Sequence, residues 1–197
     1  MTGREAERIA DPLLKALAVI AGRTAGTGAQ WLVGGSSGLL LRGLELPSPP
    51  RDLDLYADDE AAKTIHQALL SYAIDEQQVS VSPIYRSLLS HYVIEGVQVE
   101  LVGGFVVASG SDRYAVEVEE VLGPLRLTVA AGPHEVGVVP LAHELWFNVL
   151  RARDDRTELI GRRLAEEPAL HLDAVRQIAS RNKFSDELQR RIAPFLN

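Results

Sequence analysis

The chain has no cysteine, which excludes disulfides and thiolate metal sites and points to a reducing compartment. No apolar run approaches the roughly 18 residues that a membrane span needs. The opening MTGREAERIADPLLKALAVIAGR carries charges throughout, so it reads as an amphipathic helix and not as a signal peptide. A cytoplasmic location and no membrane partner are expected. Positive charge is scarce: 20 Lys and Arg stand against 27 Asp and Glu, a formal net charge of −7. A broad nucleic-acid surface needs a basic stripe, and this balance argues against one. The five arginines between positions 151 and 163 are interleaved with Asp154, Asp155 and Glu158, the pattern of a solvated helix with charge pairs rather than a phosphate track. Two familiar signatures are also missing. The Gly-Gly-Ser-Ser segment is not a Walker loop, because Leu39 to Leu41 stand where its lysine belongs. His143-Glu144 is not the start of a zinc-binding H-E-x-x-H, because position 147 is Phe. The pair is read as surface or capping. His66, His91, His134 and His171 show no ligand spacing.

What is present is a chain of 197 residues, 46% apolar and 24% charged. That suits one globular domain, or one with a small appendage, able to bury a core without staples. Asp11-Pro12 reads as an N-cap with proline at the first helical position, the helix running to about Arg23. QWLVGG reads as a strand ending in glycine, SSGLLLRG as a helix, and LELPSPP as irregular because its prolines remove donors and fix φ. RDLDLYA alternates as a strand does, and DDEAAKTIHQALLSY follows as a helix capped by Asp58 or Asp59. LLSHYVIEGVQVELVGGF gives two strands around Glu95-Gly96. YAVEVEE, LRLTVAA and EVGVVP are further strand candidates. From Pro140 onward the period is helical. The expectation is an α+β fold, strands and helices mixed over 1–140 and a C-terminal helical segment over 141–197. Trp146 and Phe147 are read as core of that segment, and Trp31 as core beside the glycine loop.

Three features carry chemistry. In a strand, Asp52 and Asp54 point one way and Leu53 and Leu55 the other. The two Cα atoms are then roughly 6.6 to 7 Å apart. Carboxylates converging to about 6 Å repel by roughly 3 kcal/mol at an effective dielectric of about 20. Water and salt absorb that on an exposed face, whereas a cleft calls for a cation, and hard oxygen donors suit Mg²⁺ or Mn²⁺. Gly34-Gly35 before a helix, with Ser36 and Ser37, leaves backbone N–H groups for an anion, or else makes a tight turn with a serine cap. Glu100 interrupts the apolar strand GVQVELVGG, either as the polar face of an edge strand or as a third acid near the aspartates.

Together VGGSSGLLLRG, PPRDLDLYAD and VQVELVGG resemble the nucleotidyltransferase superfamily that includes DNA polymerase beta, CCA-adding enzymes and the antibiotic nucleotidyltransferases. The small bacterial branch related to the aminoglycoside and lincosamide enzymes is the nearest in flavour. The likeness spans about residues 30 to 104. It implies that the strands form a mixed sheet with flanking helices, that Asp52, Asp54 and Glu100 bind the metal and carry catalysis, and that Gly34, Gly35, Ser36 and Ser37 hold phosphates, with Arg42 or Arg51 adding a contact. Arg51 also reads as a partner for nearby acids, and Arg86 is a weaker phosphate candidate. The departures are a longer interval between Ser36 and Asp52 and glutamate as the third acid. The implied reaction moves a nucleoside monophosphate from an NTP to an acceptor hydroxyl and releases pyrophosphate, with Mg²⁺ or Mn²⁺ as cofactor. A small molecule is favoured as acceptor over RNA or protein, because an acidic pocket in an acidic chain suits a cationic compound. The alternative is a catalytically silent nucleotide-binding or protein-interaction module, as in a toxin–antitoxin pair.

Overall fold

The elements follow from these periodicities in the computed structural model, which describes residues 3–196. In chain order they are α1 (Gly3–Thr24), β1 (Leu32–Gly34), α2 (Gly35–Leu41), β2 (Leu53–Ala57), α3 (Asp59–Leu69), β3 (Gln78–Val81), β4 (Tyr85–Ile94), β5 (Val97–Ser109), β6 (Asp112–Ala115), β7 (Leu127–Ala131), β8 (His134–Val138), α4 (Leu141–Leu150), α5 (Asp154–Glu166), α6 (Leu172–Ser180) and α7 (Asp186–Ile192). The strands form one mixed sheet in the order β3-β4-β5-β2-β1-β8-β7, with β6 paired to the end of β5. The pairs β2–β5 and β1–β8 are parallel and β1–β2 is antiparallel. No helix among the described residues is long and apolar enough to cross a membrane.

The sheet separates two layers because side chains alternate along each strand. Leu53, Leu55 and Ala57 face α3, whose Ala62 lies against Gly103 of β5. Tyr56 faces the other way, its ring 6.0 Å from that of Phe105 and 5.1 Å from that of His143 on α4. Every residue of α4 is buried, and its apolar side chains belong to the same core as those of the strands. That core also holds Ile160, Ile178 and Leu188 of the later helices, so it runs unbroken across position 140. Trp146 and Phe147 lie in it, while Trp31 packs at its margin and donates to the Thr24 hydroxyl.

Several local expectations are corrected. Pro12 lies inside α1 rather than at its start, because the Glu, Arg and Ala-rich stretch upstream is itself a good helix former. Asp11 pairs with Lys15 one turn on. Asp58 stands at the N-cap of α3, as expected, but its side chain makes no capping bond there. Its carboxylate accepts from the N–H groups of Val118 and Glu119 instead. YAVEVEE is strand only through Ala115, and Val118–Leu122 forms a π-helical turn. β3 carries no apolar alternation toward the core, since all four residues are exposed, and so it escaped the sequence reading.

Candidate active site

The strand pattern sets the carboxylates and the register brings them together. Asp54 lies opposite Glu100 in the parallel β2–β5 pair, and Asp52 precedes β2 on the same face. One oxygen from each of Asp52, Asp54 and Glu100 lies within 4.8 Å of the other two. All three side chains are half-buried. They open into a cavity of about 620 Å³ that Gly35, Ser36, Arg51, Glu144, Arg151, Arg153 and Arg156 also line.

Burial pushes the Asp54 carboxyl well above its usual range, and the negative charges of Asp52, Glu100 and Glu144 push it further. Arg151 pulls it back. Glu100 is also pushed up by burial, against the pull of His91, which sits across from it on β4 and bonds to Asp75. Three convergent carboxylates, with Asp54 and Glu100 raised in their affinity for protons, are a donor set that a hard divalent cation fits, since it cancels the repulsion.

The two glycines are explained by close approach. Gly35 has φ +59°, and a Cβ there would collide with the Asp54 carboxylate. A Cβ on Gly34 would run into the Tyr56 ring. Glycine is therefore what allows the loop to lie against the acids. Ser37 is buried, and its hydroxyl donates to the Asp52 carbonyl at 2.6 Å, tying α2 to the start of β2. Gly35, Ser36, Arg51, Asp52, Asp54 and Glu100 are thus brought to one cavity, whereas Gly34 and Ser37 buttress it from behind.

Arg42 does not reach the cavity. Its guanidinium donates to the carbonyls of Val139 at 2.6 Å and Val138 at 3.3 Å. Burial lowers its pKa to about 10. The end of β8 needs acceptors satisfied before α4 begins, and Arg42 satisfies them. Arg86 is likewise engaged, bonded to Asp59 and to the Gly104 carbonyl.

The C-terminal helices supply what the sequence reading placed elsewhere. Glu144 is neither surface nor cap. It is 1% exposed, accepts from the Gly35 N–H at 2.7 Å and is held by the Asn148 amide. Burial pushes its carboxyl up, and the Gly35 bond, Arg151, Asn148 and Arg156 oppose that. His143 beside it is buried, bonds the Tyr114 hydroxyl through Nδ1, and has its pKa lowered to about 3 by burial. Arg156 donates to the Ser36 hydroxyl at 3.1 Å, while its buried Nη1 has no partner among the described residues. Arg151 lies 4.6 Å over the Phe147 ring and donates to the Tyr85 hydroxyl at 2.7 Å. The five arginines therefore divide. Arg162 and Arg163 pair outward with Glu158 and Glu166, as expected of a solvated helix. Arg151, Arg153 and Arg156 line the cavity, although Arg153 also pairs with Asp155. The one available signal was position: these arginines bracket the break between α4 and α5, where Ala152 has φ +53°.

No family model matches the chain, and no curated protein matches it. Solved structures do. A Thermotoga maritima protein assigned as a nucleotidyltransferase shares 20% identity, with 85% of this chain and 97% of that chain covered and a TM-score of 0.59. ANT(2″)-Ia in complex with adenylyl-2″-tobramycin shares 14% identity over 93% of this chain and 96% of that chain, with a TM-score of 0.48. The lincosamide antibiotic adenylyltransferase LnuA, lincomycin-bound, shares 11% identity over 74% of this chain and 94% of that chain, with a TM-score of 0.45. The first likeness, over nearly the full length of that protein, establishes that this chain has the nucleotidyltransferase fold.

Proposed function

We propose that the protein transfers a nucleoside monophosphate from an NTP to the hydroxyl of a small-molecule acceptor and releases pyrophosphate. The observation that carries this reading is the meeting of Asp52, Asp54 and Glu100 within 4.8 Å in a cavity that also holds Ser36 and a set of arginines. Asp52, Asp54 and Glu100 hold Mg²⁺ or Mn²⁺ in this reading. The cation would neutralise charge developing on the phosphoryl oxygens and lower the pKa of the attacking hydroxyl.

The chain's own groups do the rest. Arg156, Arg151 and Arg153 meet the triphosphate, with Arg51 at the rim. Guanidinium forks match phosphate oxygens bidentately. Ser36 adds a hydroxyl beside Arg156. The Gly35 N–H is already taken by Glu144, so the arginines rather than that amide carry the phosphate charge. The acceptor oxygen attacks the α-phosphorus, the bond to the bridging oxygen breaks, and pyrophosphate leaves with the electron pair. Glu100 would hold the metal through one carboxylate oxygen and take the acceptor's proton on the other.

The cavity revises the reason for a small acceptor. Beyond the three acids, its charged lining is Glu144 and four arginines, Arg51, Arg151, Arg153 and Arg156. That lining gives a polycation no free carboxylate once a metal holds the triad. Its volume of about 620 Å³ falls within the roughly 300–1,000 Å³ range of small-molecule sites, which supports a small acceptor over RNA or protein.

The test is pyrophosphate release with Mn²⁺ or Mg²⁺, each of the four NTPs and pooled hydroxyl compounds, with Asp54→Asn as control. Release that requires metal and acceptor, and is lost in the control, supports the reading. If no NTP with Mn²⁺ either raises the melting temperature or yields pyrophosphate, the silent-module alternative replaces it.

A further inference from the structure

Edge strands of natural sheets are normally guarded by lysine, proline or an inward charge, because their unpaired backbone groups recruit other strands. β3 is the terminal strand of this sheet, and its own residues carry no such guard, the nearest being Asp75 and Glu76 before it and Pro83 after it. Positions 77–82 read QQVSVS, without a charge or a proline, in a chain of net charge −7. Its side chains are exposed along its whole length, Val79 at 60% and Val81 at 72%.

The edge extends beyond β3. Ala73 bridges to Tyr92 and Ile74 donates to the His91 carbonyl, so this segment follows β3's line along β4. Of the eight exposed large hydrophobic side chains among the described residues, five belong to this end of the sheet: Leu70, Ile74, Val79, Val81 and Ile84. The opposite edge is less exposed, since Val129 of β7 packs on the core and Ala131 is buried in it.

The direction of the free backbone groups follows from the hairpin. The Ser82 N–H bonds the Tyr85 carbonyl, and in an antiparallel ladder the paired residues alternate. Positions 78, 80 and 82 therefore bond toward β4, and Val79 and Val81 send their N–H and C=O groups outward. Ser80 and Ser82 line the cavity, so by alternation the two valine side chains lie on the opposite, α3-side face, past the reach of α3.

We infer that β3 pairs antiparallel with β3 of a second copy of this chain, across a two-fold axis at Ser80, joining two sheets into one. The sequence is self-complementary in that register. Val79 falls opposite the partner's Val81, and Val81 opposite the partner's Val79. Each pair exchanges both N–H···O bonds. Ser80 meets the partner's Ser80 in the closer, non-hydrogen-bonded position. No charge opposes a like charge, whereas acidic chains meeting elsewhere would repel. A two-fold, self-complementary patch is what a homodimer requires. It also places the partner's Ser80 and Ser82 beside the serine wall of the cavity, which ends at β3.

The inference is independent of the proposed reaction and is tested without it. Sedimentation equilibrium at micromolar to tens of micromolar concentration is expected to give twice the chain mass for the wild type. Val79→Lys with Val81→Lys sets lysines against lysines across the axis, and the dimer is expected to be lost. Val79→Glu with Val81→Lys sets glutamate against lysine twice, and the dimer is expected to return. These side chains point to solvent, so circular dichroism of all three proteins should coincide. A wild type of single chain mass, or a double-lysine variant that stays dimeric, overturns the pairing. If the variant of mixed charge, Val79→Glu with Val81→Lys, remains monomeric beside a dimeric wild type, the register and its two-fold are overturned.

Discussion

Replacing Asp54 by Asn should stabilise the metal-free protein while abolishing its response to metal. Two unit charges 4.8 Å apart, the upper limit within the triad, repel by about 3 kcal/mol at an effective dielectric of about 20. Asp54 faces both Asp52 and Glu100, with Glu144 adding to the same side. Part of that repulsion is already relieved in the wild type, because the folded protein holds Asp54 protonated to higher pH than the unfolded chain does. The net gain is therefore expected to be on the order of 1–3 kcal/mol at neutral pH, not the full sum of pairs. For a chain of this size, each kcal/mol moves the melting temperature by roughly 2–4 °C. The sign with pH follows from the direction of the shift. A carboxyl whose folded pKa lies above its unfolded value binds more protons when folded, so the wild type loses stability as pH rises from the unfolded pKa, about 4, through the raised folded one. The gap between variant and wild type should widen over that window and close in acid. Differential scanning calorimetry in EDTA from pH 4 to 8 measures it, and a parallel series with Mn²⁺ should raise the wild-type transition alone. A variant that melts below the wild type in EDTA at neutral pH would give Asp54 a structural job and refute the repulsion argument. So would one that keeps the full Mn²⁺ shift.

Other outcomes follow from the same geometry. Gly35→Ala forces a Cβ into the Asp54 carboxylate at a positive φ. The melting temperature should drop by several degrees, with about 1–3 kcal/mol lost to strain, and metal-dependent stabilisation should weaken with it. Arg156→Ala should raise the KM or Kd for NTP by roughly ten-fold or more, the loss expected for a charge-assisted phosphate contact of about 1.5–3 kcal/mol. Isothermal titration should show Mn²⁺ binding without nucleotide unchanged. Arg42→Met removes two carbonyl bonds at the end of β8, so chemical denaturation should register a loss of about 1–3 kcal/mol. The KM for NTP should stay within about two-fold, well below the ten-fold that 1.4 kcal/mol represents. An NTP-specific defect without destabilisation would return Arg42 to the phosphate role that its position in the sequence first implied.

Local pattern carried a definite part of this protein. Period-two alternation in RDLDLYA is enough to put Asp52 and Asp54 on one face and Leu53 and Leu55 on the other, because a strand has no third direction for a side chain. The apolar run ending in Gly-Gly announces a turn that only glycine fits, and the change of period after Pro140 announces helices. Pairing is a different kind of information. Glu100 meets Asp54 because β5 lies beside β2 in a particular register, and a slip of one residue would turn every side chain over. Glu144 lies 109 residues from Gly35 and Arg156 lies 120 from Ser36. No local period marks them, and on their own helices they resemble ordinary polar positions. The same separation misdirected Arg42, which adjoins the glycine loop in sequence but is drawn away by unpaired carbonyls 96 and 97 residues later. Burial decides such cases. A buried carbonyl or carboxylate must find a partner wherever the chain brings one, and which side chain answers is settled only when the sheet and the helices beyond it have packed.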